Sequence, residues 1–349
     1  MIQSQRLHGT PANVARYYTV GDYYTKSGEE PSQWDGKLSP ELGLSGPVDP
    51  KVLRRLLAGK VGDQQLGRHR ADGTIEHHPG WDFTVSAPKS VSIMALVAGD
   101  ERVLAAHEKA VSAAIGYLEE QVQLRHRAEG KIVRETTGRF LVARFTEHGS
   151  RDLDPHLHTH LVVLNMTNRA PDDRMASLES RLMYEEKSAA GQVYRNSLAF
   201  SLREDGFGIE FDPRTGLFEI RGVPKDLIQD FSQRSREIEE HAREHGLVGQ
   251  KDKQASFYAT RKAKAKVGHG DLIEQWCQRS GERLADIQHL REASRDAEGK
   301  HLPPTDREAA RAALFGLKQL ETAEAVNNFG HILRTGLAAH VGEVRLEDI

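Results

Sequence analysis

The stretch Asp154-Pro155-His156-Leu157-His158-Thr159-His160-Leu161-Val162-Val163-Leu164 is compatible with few folds. An apolar, β-branched run entered with alternating side chains reads as a strand, so His158 and His160 project from one face of a sheet. Two imidazoles two residues apart make half of a metal site. His156 shares that face, but a metal held about 2.0–2.1 Å from each nitrogen cannot easily be reached by both ends of a row spanning roughly 13 Å. One neighbouring pair is expected to bind, and the third ligand must come from elsewhere.

Residues Gly138 to Phe145 read as a preceding strand, and the short connection Thr146-Glu147-His148-Gly149-Ser150-Arg151 makes the two a hairpin. Either Glu147 or His148 then stands beside the paired histidines, and chemistry alone permits either. A further strand runs over Trp81-Asp82-Phe83-Thr84-Val85-Ser86. Alternation puts Trp81, Phe83 and Val85 on a buried face and Asp82 on a polar one. A carboxylate there can take a proton from a nucleophile, or hold a metal-binding imidazole in one tautomer. The turn Ala87-Pro88-Lys89-Ser90 closes the strand, with Lys89 placed to meet a phosphate.

Four of the eight tyrosines, Tyr17, Tyr18, Tyr23 and Tyr24, fall within eight residues. Aromatic packing beside a glycine turn explains such a cluster. A pair of nucleophiles explains it too: a phenol attacking phosphorus leaves an aryl phosphodiester that keeps the energy of the broken bond, so cleavage can be reversed without ATP.

Elsewhere, Asp49-Pro50 caps a short helix over Lys51 to Ala58, and Glu101 to Arg127 has the periodicity of one long amphipathic helix. From Gln123 to Arg144 six basic residues face only Glu129 and Glu135, a local balance of +4. Ala189 to Glu204 reads as a helix, Gly206 to Arg221 as a hairpin, and Lys225 to Glu244 as a charged helix. Lys251 to His269 carries six basic residues against Asp252 alone, with Phe257 and Tyr258 interleaved, as suits a surface that tracks a backbone and stacks bases. Globally, 48 basic against 51 acidic residues give a net charge of -3, so any nucleic-acid footprint is local. The single cysteine, Cys277, excludes an intrachain disulfide, and no apolar run is long enough for a membrane helix. With no signal-peptide pattern either, a cytoplasmic protein is expected. No phosphate-binding Gly-x-x-x-x-Gly-Lys-Ser/Thr loop is present.

Tyr17-Tyr18 with Tyr23-Tyr24, Trp34-x-Gly36-Lys37, Glu41-Leu42-Gly43-Leu44-Ser45-Gly46, Ser86-Ala87-Pro88-Lys89-Ser90-Val91-Ser92 and Ser150-Arg151 through His160 together resemble the conjugative relaxases of the relaxase-helicase type. These are metal-dependent enzymes of the His-hydrophobic-His class that nick one DNA strand at a plasmid transfer origin. The likeness runs through roughly the first 300 residues in the family's order. It implies an α+β fold, with an antiparallel β-sheet palm flanked by helices and a mostly helical fingers subdomain at 225–297. Residues 305–349 would form a helical extension. Relatives usually continue into a helicase.

The resemblance also implies roles. The initiating nucleophile falls on Tyr17 and the second working tyrosine on Tyr23, with Tyr18 and Tyr24 as their neighbours. The strand aspartate falls on Asp82, and two metal ligands on His158 and His160. Family members place a histidine two residues after the phenylalanine of the preceding strand; counted from Phe145 that position is Glu147, with His148 next. A gapless match gives a carboxylate, and a one-residue bulge would restore three imidazoles. Glutamate tilts the site toward Mg²⁺ or Mn²⁺, whereas three imidazoles suit borderline metals. Lys89, Arg151, Arg261, Lys262, Lys264 and Lys266 are the expected DNA contacts. The partners implied are single-stranded DNA with a transfer-origin hairpin, other relaxosome components and conjugation-coupling proteins. Two rivals are a rolling-circle replication initiator, whose tyrosine typically follows the histidine motif, and a metal-stabilised DNA-binding module without catalysis.

Overall fold

The histidine stretch forms the centre of a five-stranded antiparallel sheet in a computed structural model that describes residues 2–19, 31–169, 174–247, 249, 255–257, 259–260, 262, 267–321 and 328–349. Its strands are β1 (Ile2–Arg6), β2 (Ser32–Asp35), β3 (Gly80–Ser86), β4 (Val142–Gly149) and β5 (Pro155–Leu164), in spatial order β1-β3-β5-β4-β2. The central position of β5 explains its composition: both of its faces are covered, so both alternating sets of side chains are buried.

On one face Phe83, Val85, Leu157, Leu161 and Val163 pack into a core with helices α3 (Glu101–Glu120) and α4 (Arg181–Glu204). On the other, Ala143, Phe145, Val162 and Leu164 meet Val14, Ala15 and Tyr18 of helix α1 (Pro11–Thr19) and Leu53, Leu56 and Leu57 of helix α2 (Pro50–Leu57). The Asp49 carboxylate caps α2 as expected, accepting from the Lys51 and Val52 amides at 2.8 Å.

The helix read from Ala189 begins at Arg181, the turn read at Lys89 opens a helix over Lys89–Leu96, and three further elements differ from the sequence reading. The helix expected over Glu101 to Arg127 ends at Glu120, and Gln123–Ala128 pairs with Lys131–Thr136 as a β-ribbon. The basic run alternates with Leu124, which is buried, and that period of two suits a strand. The strand expected from Gly138 begins only at Val142, because the buried Glu119 carboxylate takes the Phe140 amide at 3.1 Å. Lys225 to Glu244 is two helices, Lys225–Asp230 and Gln233–Glu244, the second pinned where the Gln233 amide donates to Asp154 at 3.0 Å.

Helices His269–Ser280 and Arg283–Arg295 follow, then α5 (Asp306–Glu321) and α6 (Phe329–Ala338). The last two cross closely because Gly316 and Gly336 carry no Cβ: one at either position would strike the carbonyl oxygen of Ile332 or Ala312. Asn196 of α4 ties the end of the chain down, its Nδ2 lying 2.8–3.1 Å from the carbonyl oxygens of Leu337, His340 and Val344. Among the described residues no helix is long and apolar enough to cross a membrane.

Candidate active site

The β4–β5 register sets Glu147 opposite His158 and Phe145 opposite His160. Glu147 Oε2 lies 3.5 Å from His158 Nε2, and Oε1 lies 3.8 Å from His160 Nε2. One donor atom from each of the three residues falls within 4.8 Å of the others. Both histidines are held in the tautomer a metal needs. His158 Nδ1 is 2.9 Å from the His156 carbonyl oxygen, and His160 Nδ1 is 2.8 Å from Asp82 Oδ2. Those partners only accept, so both Nδ1 atoms carry the proton and both Nε2 lone pairs face the carboxylate. Two imidazoles and a carboxylate are a donor set that fits a divalent cation.

A bulge is present, but it does not restore three imidazoles. The β4–β5 register shifts between Glu147 and Gly149, and His148 turns away to lie against His269, with ring centroids 5.1 Å apart. Burial, with the nearby His269, pushes its pKa down to about 4. His156 stacks on His158 at 4.6 Å and stays outside the donor set, as its place in the row predicts.

Asp82 was expected on an open polar face and is instead fully buried, because α1 lies over that face. Besides His160 it accepts from the Tyr18 hydroxyl at 2.9 Å and Gln5 Nε2 at 3.2 Å. Burial works to raise its pKa, but His160 and these hydrogen bonds outweigh it and hold the carboxyl below its ordinary value. Tyr18, only 4% exposed, stacks on Phe145 with centroids 5.4 Å apart. Burial and then the Asp82 charge push its pKa well above the ordinary phenol range, so this hydroxyl is a fixed donor. Tyr17, the residue before it, projects about 100° away around the helix. Its ring meets that of Tyr18 edge-on at 4.9 Å, at the margin of the core. Tyr23 and Tyr24 lie outside the described residues.

Three of the expected DNA contacts, Lys89, Arg151 and Lys262, fall among the described residues. Lys89 is drawn into the fold, where its Nζ donates to the Pro155 carbonyl at 2.7 Å and burial lowers its pKa to about 8, so its ammonium already has a partner in the protein. Arg151 donates to the Lys262 carbonyl at 2.8 Å, and the Lys262 ammonium is held by Asp152 at 2.6 Å and by Glu237. Arg261, Lys264 and Lys266 lie outside the described residues.

Sequence reasoning missed the support behind the donors. Thr159, between the two histidines, points to the opposite face. There the Tyr194 hydroxyl meets His107 Nδ1 at 2.7 Å, and His107 Nε2 meets Thr159 Oγ1 at 2.9 Å. Thr159 Oγ1 is 3.0 Å from Thr146 Oγ1, which donates to Glu108 at 3.1 Å. The terminal carboxylate can only accept, so one direction of donation satisfies the whole row, with the His107 proton on Nε2. Thr146 and Thr159 are register partners beside the Glu147–His158 pair, so the row locks the strands that carry the donors. The only sequence signal was a threonine between two histidines.

Two outcomes follow from this row. Thr159→Val is expected to weaken metal binding about tenfold, with Thr159→Ser close to the parent. Titration calorimetry with Mn²⁺ measures this, and unchanged affinity in the valine variant would refute the locking role. Burial, with the charge of Arg144, pushes the His107 pKa down to about 3. Between that value and the unfolded value of about 6.5 the unfolded chain binds a proton that the native one refuses. Stability is therefore expected to fall as pH drops through this window, at up to about 1.4 kcal/mol per pH unit. Urea titrations at pH 7 and pH 5 should show a shallower loss in His107→Gln.

Comparison with known proteins agrees with this arrangement. Residues 11–283 match the TrwC relaxase family. The multifunctional conjugation protein TraI of Escherichia coli is 34% identical over 289 residues, which is 81% of this chain and 16% of TraI, so the chain spans under a fifth of that relative's length. A metal-free structure of the conjugative relaxase TrwC in complex with oriT DNA aligns with a TM-score of 0.73 at 34% identity, covering 81% of this chain and 98% of that one. A metal-bound TrwC–oriT complex gives 0.72 at 34% identity, covering 83% and 98%. TrwC with a 27-mer DNA comprising the recognition hairpin and the cleavage site gives 0.72 at 33% identity, covering 81% and 98%. With the family match over 11–283, the identity to TraI and the structural likeness to TrwC in agreement, the chain belongs to the TrwC relaxase family.

Proposed function

We propose that the protein is a metal-dependent, strand-specific DNA nicking-joining enzyme that acts at a plasmid transfer origin in conjugation. The observation that carries this reading is the sharing of Asp82, which links the metal-facing His160 to a helix that presents consecutive tyrosines. The Tyr17 hydroxyl attacks the scissile phosphorus in line, forming the Tyr17–phosphate bond as the bond to the 3′ oxygen breaks. The products are a 5′-phosphotyrosine and a free 3′-hydroxyl; a new 3′ end reverses the step, and Tyr23 supplies a second transesterification.

Glu147, His158 and His160 are the proposed ligands. A divalent cation held there would polarise the phosphate and neutralise charge on its non-bridging oxygens. The carboxylate favours Mg²⁺ or Mn²⁺ over softer ions. Asp82 orients His160, and Tyr18 completes the acceptor shell of Asp82. The substrate is single-stranded DNA next to a hairpin, as the DNA in the TrwC complexes suggests, with the helices of 225–297 as fingers over it. We assign 1–300 to the relaxase domain and 305–349 to a helical extension. Relaxosome and conjugation-coupling proteins are the expected partners.

The test is a denaturant-resistant adduct on a cognate transfer-origin oligonucleotide, formed with Mg²⁺ or Mn²⁺ and lost with EDTA. No adduct on the cognate origin would return the protein to a metal-stabilised DNA-binding module.

A further inference from the structure

On the face of the sheet away from the metal donors, β1, α4, the hairpin Ile209–Asp212/Leu217–Ile220 and the α5–α6 pair line a half-open cavity of about 730 Å³. Its α5 and α6 wall lies beyond the residues matched by the relaxase family, so nothing in the DNA-processing site accounts for it. The cavity is of the size that takes a small molecule. Among the described residues its lining includes Lys187, Arg195, Arg214 and Arg334, with no aspartate or glutamate.

Arg195 is the decisive residue. It is 9% exposed, and its guanidinium donates through Nε and Nη2 to the neutral Gln192 Oε1, at 3.1 and 2.7 Å. Among the described residues no carboxylate pairs with it. Burial, with the nearby Arg334, pulls its pKa down to about 10 against the opposing influence of Tyr194. Lys187 makes a neutral contact, Nζ to Ser4 Oγ at 3.3 Å, whereas Arg214 is partly neutralised by Asp212 at 3.5 Å. A buried cation without a counter-charge is unstable, and folded proteins pair such groups. Beside these cations the wall mixes polar side chains such as Ser188 and Thr335 with apolar ones, among them Ile2 and a Phe315 ring that is 38% exposed.

We propose that this cavity binds a nucleoside polyphosphate, the phosphate chain lying on Lys187, Arg195 and Arg334 and the base against Phe315. Guanidinium groups suit phosphate oxygens through charge-assisted, paired hydrogen bonds, and an aromatic face suits a base.

Equilibrium dialysis of the full chain against ATP, GTP and inorganic tripolyphosphate, with EDTA present, tests the proposal. Saturable nucleotide binding is expected, weakened about tenfold or more in Arg195→Gln and in Arg334→Gln, with tripolyphosphate binding less tightly than ATP. Arg195→Gln guards against a folding artefact: without ligand it should melt at or above the parent's temperature, because a lone buried charge is gone, and ATP should no longer raise that temperature. Absence of nucleotide binding, binding unchanged in both variants, or displacement of ATP by a transfer-origin oligonucleotide would overturn the proposal. Equal affinity for tripolyphosphate and ATP would overturn the nucleoside assignment.

Discussion

Tyr17→Phe is expected to leave no covalent adduct on a cognate oligonucleotide labelled 3′ of the nick, a loss of about 10³-fold or more in rate. The substitution removes one oxygen from a ring at the margin of the core, so folding and DNA binding should persist. Tyr18→Phe is the necessary contrast. It deletes a donor 2.9 Å from Asp82 but keeps the stack on Phe145, so adduct formation should slow by about tenfold rather than cease. The asymmetry has a physical origin: Tyr18 is buried, bonded to a carboxylate and hard to ionise, which makes it a poor nucleophile. Full adduct from Tyr17→Phe, with none from Tyr18→Phe, would reverse the two roles.

Glu147→Ala is expected to weaken Mn²⁺ binding by about 100-fold, whereas His148→Ala should change it by less than about twofold. Both residues lie on the same turn of chain, but only Glu147 faces the Nε2 atoms of His158 and His160. Glu147→His adds a discriminating arm, since three imidazoles should shift preference away from Mg²⁺ and Mn²⁺ toward borderline ions. Calorimetry, with Mn²⁺ electron spin resonance as a second measure, reads all three variants. Small, equal losses in both alanine variants would remove Glu147 and His148 alike from the donor set.

Much of this arrangement was legible because alternation along a strand is a strong signal. It put His158 and His160 on one face, and Asp82 with Thr84 on the same side of a neighbouring strand. The roof over that face was not legible. It comes from Val14, Ala15 and Tyr18, which are remote in sequence, and no local pattern says where a short helix will lie. The bulge was named as an option, but its placement depends on ladder geometry around His148 rather than on residue type. The partners of Lys89 and Lys262 were not legible for a related reason. A basic residue shows its charge in the sequence, whereas its acceptors, Pro155 for one and Asp152 and Glu237 for the other, are supplied by the fold.

The pairing of β5 with β4 on one side and β3 on the other also bears on how the chain matures during synthesis. The three donors belong to strands consecutive in the chain, joined by the short loop before Pro155, so a single hairpin closure brings them together. Tyr17, Tyr18 and Asp82 are made earlier, but β3 has only β1 to pair with until β5 arrives. Helix α1 therefore leaves the ribosome long before β5, the strand that carries His160 to Asp82. A growing chain can present Tyr17 and Tyr18 well before His158 and His160 exist to stand beside Glu147.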